Sequence, residues 1–545
     1  MRALLALLLL LGAPAPARGQ APSPGKPPSD FVRREAEPAP LPEPLDRLAA
    51  GMRAGALSTH VAFLASPALE GRGLDTPGLA AAAGYAASQL SLAGIPPLPP
   101  GDGKGALAAY FQAVPVRQIR EPGGTVTVER REGATATTRT LVSGVDALVP
   151  PATDRTVSAP AVFAGYGIRE RSPERDDYRG LDVKGRVVVL LEGLPAGEEW
   201  RTKALRSRYA AEDAEDRWAV KLETARSLGA LAVVGVEGVE WAARITGKDR
   251  PPAFVFRGVA DESREAEPLL VRVSPAGGQA LLGAGPAPND QPRPLPGVTV
   301  TVRAQGRERL AVSRNVVGFL EGQDPGLRHE AVVVGAHLDH LGREGGVLHP
   351  GADDNASGVA SLLEIARALA SSPRRPKRSV VFAFWTGEEE DKIGSTFWVS
   401  RPPWPLSKTT AYLNLDMVGH PWTRKEIEDL LADARLPDPG AFRAGLDPAD
   451  FVEPGLARYA PELGEVLVRA GRGTGLALHL DWTEGVTGGS DYRPFARSRV
   501  PFVRFFGNFF PGYHGPGDTA EALDASQVLR MARLALATTW LLADR

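Results

Sequence analysis

Ala331-Val332-Val333-Val334-Gly335-Ala336-His337-Leu338-Asp339-His340 is the stretch on which the fold turns. Its opening residues are apolar and β-branched, as a strand buried on both faces should be, and polar residues follow at once. The same pattern recurs downstream. Ser379 to Trp385 delivers Thr386-Gly387-Glu388-Glu389-Glu390, and Ala411 to Leu415 ends in Asp416-Met417-Val418-Gly419. Val500 to Phe506 is followed by a loop with Tyr513-His514. In an open α/β sheet the C-terminal ends of parallel strands share one rim, where ligands bind, so residues distant in sequence converge there. Between the first two strands, Gly351-Ala352-Asp353-Asp354-Asn355-Ala356-Ser357-Gly358 opens a helix predicted over Val359 to Ala370. Leu362, Leu363, Ile365, Ala366 and Leu369 form its apolar stripe, and Asn355 or Ser357 is its natural N-cap. Any one such loop is ordinary polar punctuation. Four metal-capable loops after four candidate strands are not.

The 545 residues exceed one ordinary core, so two domains are the default. Hydrophobic content of 43% and charged content of 23% describe a soluble globular protein. A net charge of −2 leaves no footprint for nucleic acid or an anionic membrane. Arg2, the apolar run Ala3 to Leu11 and the small residues Ala15-Pro16-Ala17-Arg18-Gly19 read as a signal peptide over 1–19. That run is too short for a stable anchor, so no membrane anchor is expected and export to the periplasm or medium is. The Pro/Ala-rich segment 20–44 reads as a linker.

The chain has no cysteine, so a zinc site must be built from imidazole and carboxylate. His337, Asp353, Glu389, Asp416 and His514 stand in the order and local contexts that a two-zinc hydrolase needs. Two zinc ions roughly 3.5–4 Å apart need a carboxylate between them and terminal ligands on each. A further carboxylate that is not a ligand must take the water proton and pass it to the leaving amine. Adjacent glutamates suit that division, and Glu388 stands beside Glu389.

Gly-Ala-His-Leu-Asp-His, Gly-Ala-Asp-Asp-Asn-Ala-Ser-Gly, Thr-Gly-Glu-Glu, Asn-Leu-Asp-Met-Val-Gly and Tyr-His-Gly-Pro-Gly-Asp-Thr together resemble the co-catalytic dizinc exopeptidases. That family includes bacterial leucyl-type aminopeptidases and glutamate carboxypeptidase. The likeness covers most of residues 45–120 and 311–545. It implies two Zn2+ per chain, with Asp353 as the bridging ligand, His337 and Asp416 completing one zinc, and Glu389 and His514 the other. It makes Glu388 the general base and acid, and Tyr513 a hydroxyl that steadies the oxyanion. It also implies that the Asp339 carboxylate orients the His337 imidazole, and that the Asp353–Asp354 peptide is cis.

The chain departs from the family pattern in places. Ser490-Asp491-Tyr492-Arg493-Pro494-Phe495 has tyrosine where many relatives have histidine, and Glu390-Asp391-Lys392 is unusually charged. Residues 420–480 match nothing recognisable. Asp354 and Glu390 read as neighbours of the site, and His340 as a contact that does not ligate. His60, His329, His420 and His479 read as surface or packing residues, and His349 as a loop residue.

Helices are expected over Leu45 to Leu64 and Leu79 to Leu92. From about Leu141 to Val302 the pattern changes to short strands and turns. Ala161 to Ile168, Tyr178 to Leu190 and Lys221 to Val234 resemble the protease-associated domain, an insertion known in this family. The expected architecture is therefore α/β: a mixed, largely parallel sheet flanked by helices, from 45–140 and 306–545, interrupted by a β-rich insert at 141–305. The function this implies is a secreted aminopeptidase acting on peptides with a free N-terminus. The alternatives are a carboxypeptidase, a glutaminyl cyclase on the same fold, or a non-catalytic receptor-like binding protein. Nothing in the sequence sets the preferred N-terminal residue or the oligomeric state.

Overall fold

The computed structural model describes residues 31–32, 40–98, 106–150, 152, 154–210, 214–238, 241–242, 254–258, 268–283, 291–433, 447–486 and 489–545. The expected signal segment, most of the 20–44 linker and residues 434–446 of the unmatched stretch lie outside them.

The four expected strands form at Ala331–His337, Ser379–Trp385, Thr409–Leu415 and Phe502–Phe505. Across the sheet their order is Ser379–Trp385, Ala331–His337, Thr409–Leu415, Phe502–Phe505, and each is parallel to its neighbour. The first two are buried along their whole length, which is why they alternate so little in polarity. Gly335 interrupts the β-branched run for a local reason. A Cβ there would lie 2.5 Å from Trp385 Nε1 and 2.6 Å from Tyr412 Oη, two groups that share a 2.8 Å hydrogen bond. The common strand direction brings His337, the turn after Trp385, Asp416 and the loop after Phe505 to one rim.

Helix Gly358–Ala370 covers the sheet together with Ala525–Ala543, Ala54–Leu64 and Pro77–Leu92. Its N-terminus is held by Asn355, whose Oδ1 accepts Gly358 N–H at 3.0 Å. The single helix expected over Leu45 to Leu64 is two, Leu45–Gly51 and Ala54–Leu64, broken where Met52 and Arg53 turn extended. No helix among the described residues is long and apolar enough to cross a membrane.

A second parallel block, Arg155–Phe163, Val187–Leu191, Ala232–Val236 and Leu269–Val273, continues the same sheet. The long strand Arg293–Leu320 joins the blocks, antiparallel to Arg155–Phe163 toward its N-terminal end and to Ser379–Trp385 at its C-terminal end. It also pairs with Phe111–Glu132 from Val316↔Phe111 to Val298↔Arg130. Apolar packing changes over within this ribbon: Val114, Val116 and Val316 belong to the core of the first block, Val126, Val302 and Ala304 to that of the second. The sheet is thus mixed, with an α/β body around the rim and a second, β-rich body carried by the residues between.

Candidate metal centre

The Asp354 carboxylate occupies the middle of the rim. Its Oδ1 lies 3.2 Å from His337 Nε2, and its Oδ2 lies 3.1 Å from His514 Nε2. Each of its oxygens therefore faces a different imidazole. On one side Asp416 Oδ1 is 3.2 Å from His337 Nε2. On the other, Glu389 Oε2 is 3.3 Å from His514 Nε2, and Glu389 Oε1 is 2.7 Å from His340 Nδ1. Two clusters result, His337–Asp354–Asp416 and His340–Asp354–Glu389, each with ligand atoms within 4.8 Å of one another. Asp354 is common to both.

This differs from the sequence expectation at four points. Asp353 is not between the imidazoles: its Oδ1 accepts Gly419 N–H at 2.7 Å and its Oδ2 lies 2.6 Å from His420 Nδ1. The cis peptide is Asp354–Asn355, one residue later than expected. Asp339 orients His337 through its main-chain carbonyl, 3.2 Å from Nδ1, while its carboxylate accepts the N–H groups of Glu388 and Glu389 at 3.2 and 3.3 Å. His420, read as a packing residue, is the partner of Asp353 and stacks on Phe510.

The supporting groups explain how the loops hold these positions. Asp518, in the Gly-Pro-Gly-Asp-Thr string but given no role from sequence, accepts Asp353 N–H at 2.7 Å and Asp354 N–H at 3.1 Å. Ser490 Oγ donates to Asp416 Oδ2 at 2.6 Å and accepts from Asn414 Nδ2 at 2.7 Å. Gly387, with φ of 67°, turns the chain so that Glu388 and Glu389 diverge. Tyr513 is partly exposed and its ring stacks on His514 at 3.9 Å between centroids. His60, by contrast, meets Tyr85 and Glu364 away from the rim, and His479 pairs with Glu453. His349 closes the Gly342–His349 hairpin.

Electrostatics follow from burial and pairing. Burial raises the Asp354 carboxyl, but hydrogen bonds from His337 and His514 more than reverse this and hold it well below the usual range. Burial and the Asp354 charge both push Glu389 up, yet His340 and His514 bring it down to about 2. Burial lowers His514, but Asp354 and Glu389 raise it to about 11. Glu388 goes the other way: burial lifts it well above the ordinary carboxylate range, and Lys392, 3.8 Å from its Oε1, only partly opposes that.

The residues present suit zinc. The donors are carboxylate oxygens and imidazole nitrogens, with no thiolate, and they converge in two groups sharing a carboxylate. Among the described residues, Glu388 Oε1 and His340 Nε2 are buried without a hydrogen-bond partner, as expected where further groups must be accommodated.

Residues 315–539 match the model described as peptidase family M28. A probable glutamate carboxypeptidase VP8 from Zea mays is 32% identical over 228 residues, 38% of this chain and 26% of that protein. A probable leucine aminopeptidase 2 from Aspergillus oryzae is 32% identical over 165 residues, 30% of each chain. The chain thus spans less than a third of the length of these relatives. Among solved structures, an aminopeptidase from Aneurinibacillus sp. strain AM-1 is 18% identical, with a TM-score of 0.49 over 92% of this chain and 96% of that one.

Proposed function

We propose, from the match of residues 315–539 to the model described as peptidase family M28, that the protein is a dizinc aminopeptidase that removes N-terminal residues from peptides. The observation that carries the reading is Asp354, whose two oxygens face His337 and His514 on opposite sides. One ion would be held by His337, Asp354 and Asp416, the other by Asp354, Glu389 and His514, with His340 on the second oxygen of Glu389. A zinc pair supplies Lewis acidity there, acidifying a water and polarising a carbonyl.

The protein groups do the rest. The Asp339 carbonyl accepts a hydrogen bond from His337 Nδ1–H, so Nε2, which faces Asp354 and Asp416, is the atom that would bind the metal. Glu388, whose buried Oε1 has no hydrogen-bond partner among the described residues, accepts the proton of the attacking water and returns it to the leaving amine nitrogen. The Tyr513 hydroxyl donates to the developing oxyanion. The pairing of nearby cations supports a free α-amine over a terminal carboxylate as the recognised end. Arg72 is held by main-chain carbonyls, Arg493 by Asp391, and Lys392 lies by Glu388 and Asp391, so each of these three cations is already engaged by the protein.

The insert reads as a protease-associated domain that helps to seat the substrate. Phe256 N–H donates to Glu390 Oε2 at 3.2 Å, so the insert reaches the loop that carries Glu388. The leader-like N-terminus supports export, testable by fractionating cells. Aminoacyl chromogenic substrates and their N-blocked counterparts test the activity, with chelator and with zinc restored. Zinc-dependent cleavage of the free-amine forms alone is expected. Cleavage of neither by protein holding two ions overturns the reading in favour of a carboxypeptidase, a cyclase or a binding protein.

A further inference from the structure

Ser66-Pro67-Ala68-Leu69-Glu70-Gly71-Arg72-Gly73 carries none of the metal-binding groups, yet it contributes a fully buried cation to their support. Arg72 is 1% exposed. Its Nε donates to Leu338 O at 2.9 Å, Nη1 to Leu64 O at 2.5 Å and Pro350 O at 2.9 Å, and Nη2 to Gly351 O at 2.7 Å. Its own carbonyl accepts His340 N–H at 3.3 Å. Leu338 lies between His337 and His340, and Pro350-Gly351 leads directly into the Asp353-Asp354 turn. One planar group therefore spans the loop of imidazoles and the loop of the shared carboxylate.

The backbone is shaped to bring it there. Glu70, Gly71 and Arg72 all have left-handed φ, at 48°, 68° and 53°. A Cβ on Gly71 would fall 2.2 Å from His349 O and 2.6 Å from Gly342 O, so only glycine fits against the second loop. Burying a charge is unfavourable unless it is fully hydrogen-bonded, and a simple packing role would be met by an apolar side chain. The fork does what an apolar side chain cannot: it fixes the distance between Leu338 and Gly351. Metal sites tolerate errors of only about 0.2 Å in ligand distance.

We propose that Arg72 is a positioning residue that sets the separation of the His337–His340 loop from the Asp354 turn, and thereby the zinc affinity of the centre. This rests on the dizinc reading above. Lysine keeps the charge but concentrates its donors on one nitrogen, so it cannot serve Leu338 and Gly351 together.

The test is zinc titration of chelator-stripped full-length protein against a chromogenic competitor, with far-ultraviolet circular dichroism and thermal unfolding of the apo form alongside. Arg72→Lys should fold and bind zinc about 10–100-fold more weakly than the wild type. Leu57→Ala, a core truncation in the Ala54–Leu64 helix, should lower the unfolding temperature without that loss. Should Arg72→Lys not fold, Arg72→Gln, which keeps a planar donor group, takes its place. Wild-type affinity for both ions in the folded variant overturns the proposal, and so does an equal loss in Leu57→Ala, which would trace the effect to stability. Wild-type protein that takes up no zinc would instead remove the dizinc reading itself.

Discussion

His420 Nδ1 lies 2.6 Å from Asp353 Oδ2, and this pairing keeps Asp353 out of the space between the imidazoles. Its neighbour Asp354 fills that space. The two aspartates should therefore differ sharply on removal of charge. Asp354→Asn should hold at most one zinc after dialysis and show no measurable turnover. Asp353→Asn should hold two and lose about 10–100-fold in activity, the usual cost of a group that orients a ligand from outside. Metal content by atomic emission separates them, and the reverse pattern would restore Asp353 to the bridging position.

Glu388 is buried, its Oε1 accepts no hydrogen bond among the described residues, and burial raises its pKa. In chelator-stripped protein Glu388 should therefore titrate above the ordinary carboxylate range, and zinc, whose charge favours the carboxylate, should bring it down. A general base must be unprotonated to act, so the charge of the metal that favours the carboxylate also favours catalysis. Glu388→Gln should lower kcat by about 10²–10⁴-fold with zinc retained. A variant with near wild-type kcat would remove Glu388 from the mechanism.

Tyr513 stacks on His514, so Tyr513→Phe preserves the ring and deletes only the hydroxyl. If that hydroxyl meets the oxyanion, kcat should fall by about 10²-fold while KM changes little, because the bond strengthens only in the transition state. An unchanged kcat with a raised KM would make Tyr513 part of the substrate-binding wall instead.

The strands were legible because residues buried on both faces need neither alternation nor polar interruption, and Ala331–His337 and Ser379–Trp385 have little of either. His337, Glu389 and Asp416 followed, since each stands at or just after the end of a strand. Asp353 against Asp354 was not legible: two adjacent carboxylates differ only in which way the turn points them, and that depends on Asp518, 164 residues from Asp354. His420 escaped for a related reason, because its partner is 67 residues away and its own context is plain. Arg72 left a faint local trace, an arginine between two glycines, but its four acceptors are main-chain carbonyls and carry no side-chain signature.

Zinc uptake should release protons. Without metal, Asp354 and Glu389 raise His514 to about 11, and Asp416 and Asp354 raise His337 well above its usual value against the opposing effect of burial. Both imidazoles are therefore protonated near neutrality, and each must lose its proton to ligate. The sign is fixed: affinity should weaken as pH falls, and calorimetry in buffers of different ionisation enthalpy should show protons leaving the protein on binding. The same coupling stabilises the fold. An ion present at 1,000 times its dissociation constant adds about 4 kcal/mol to the native state, so chelation should lower the unfolding temperature by several degrees. Zinc binding with no proton release would mean that the imidazoles are not the groups the metal engages.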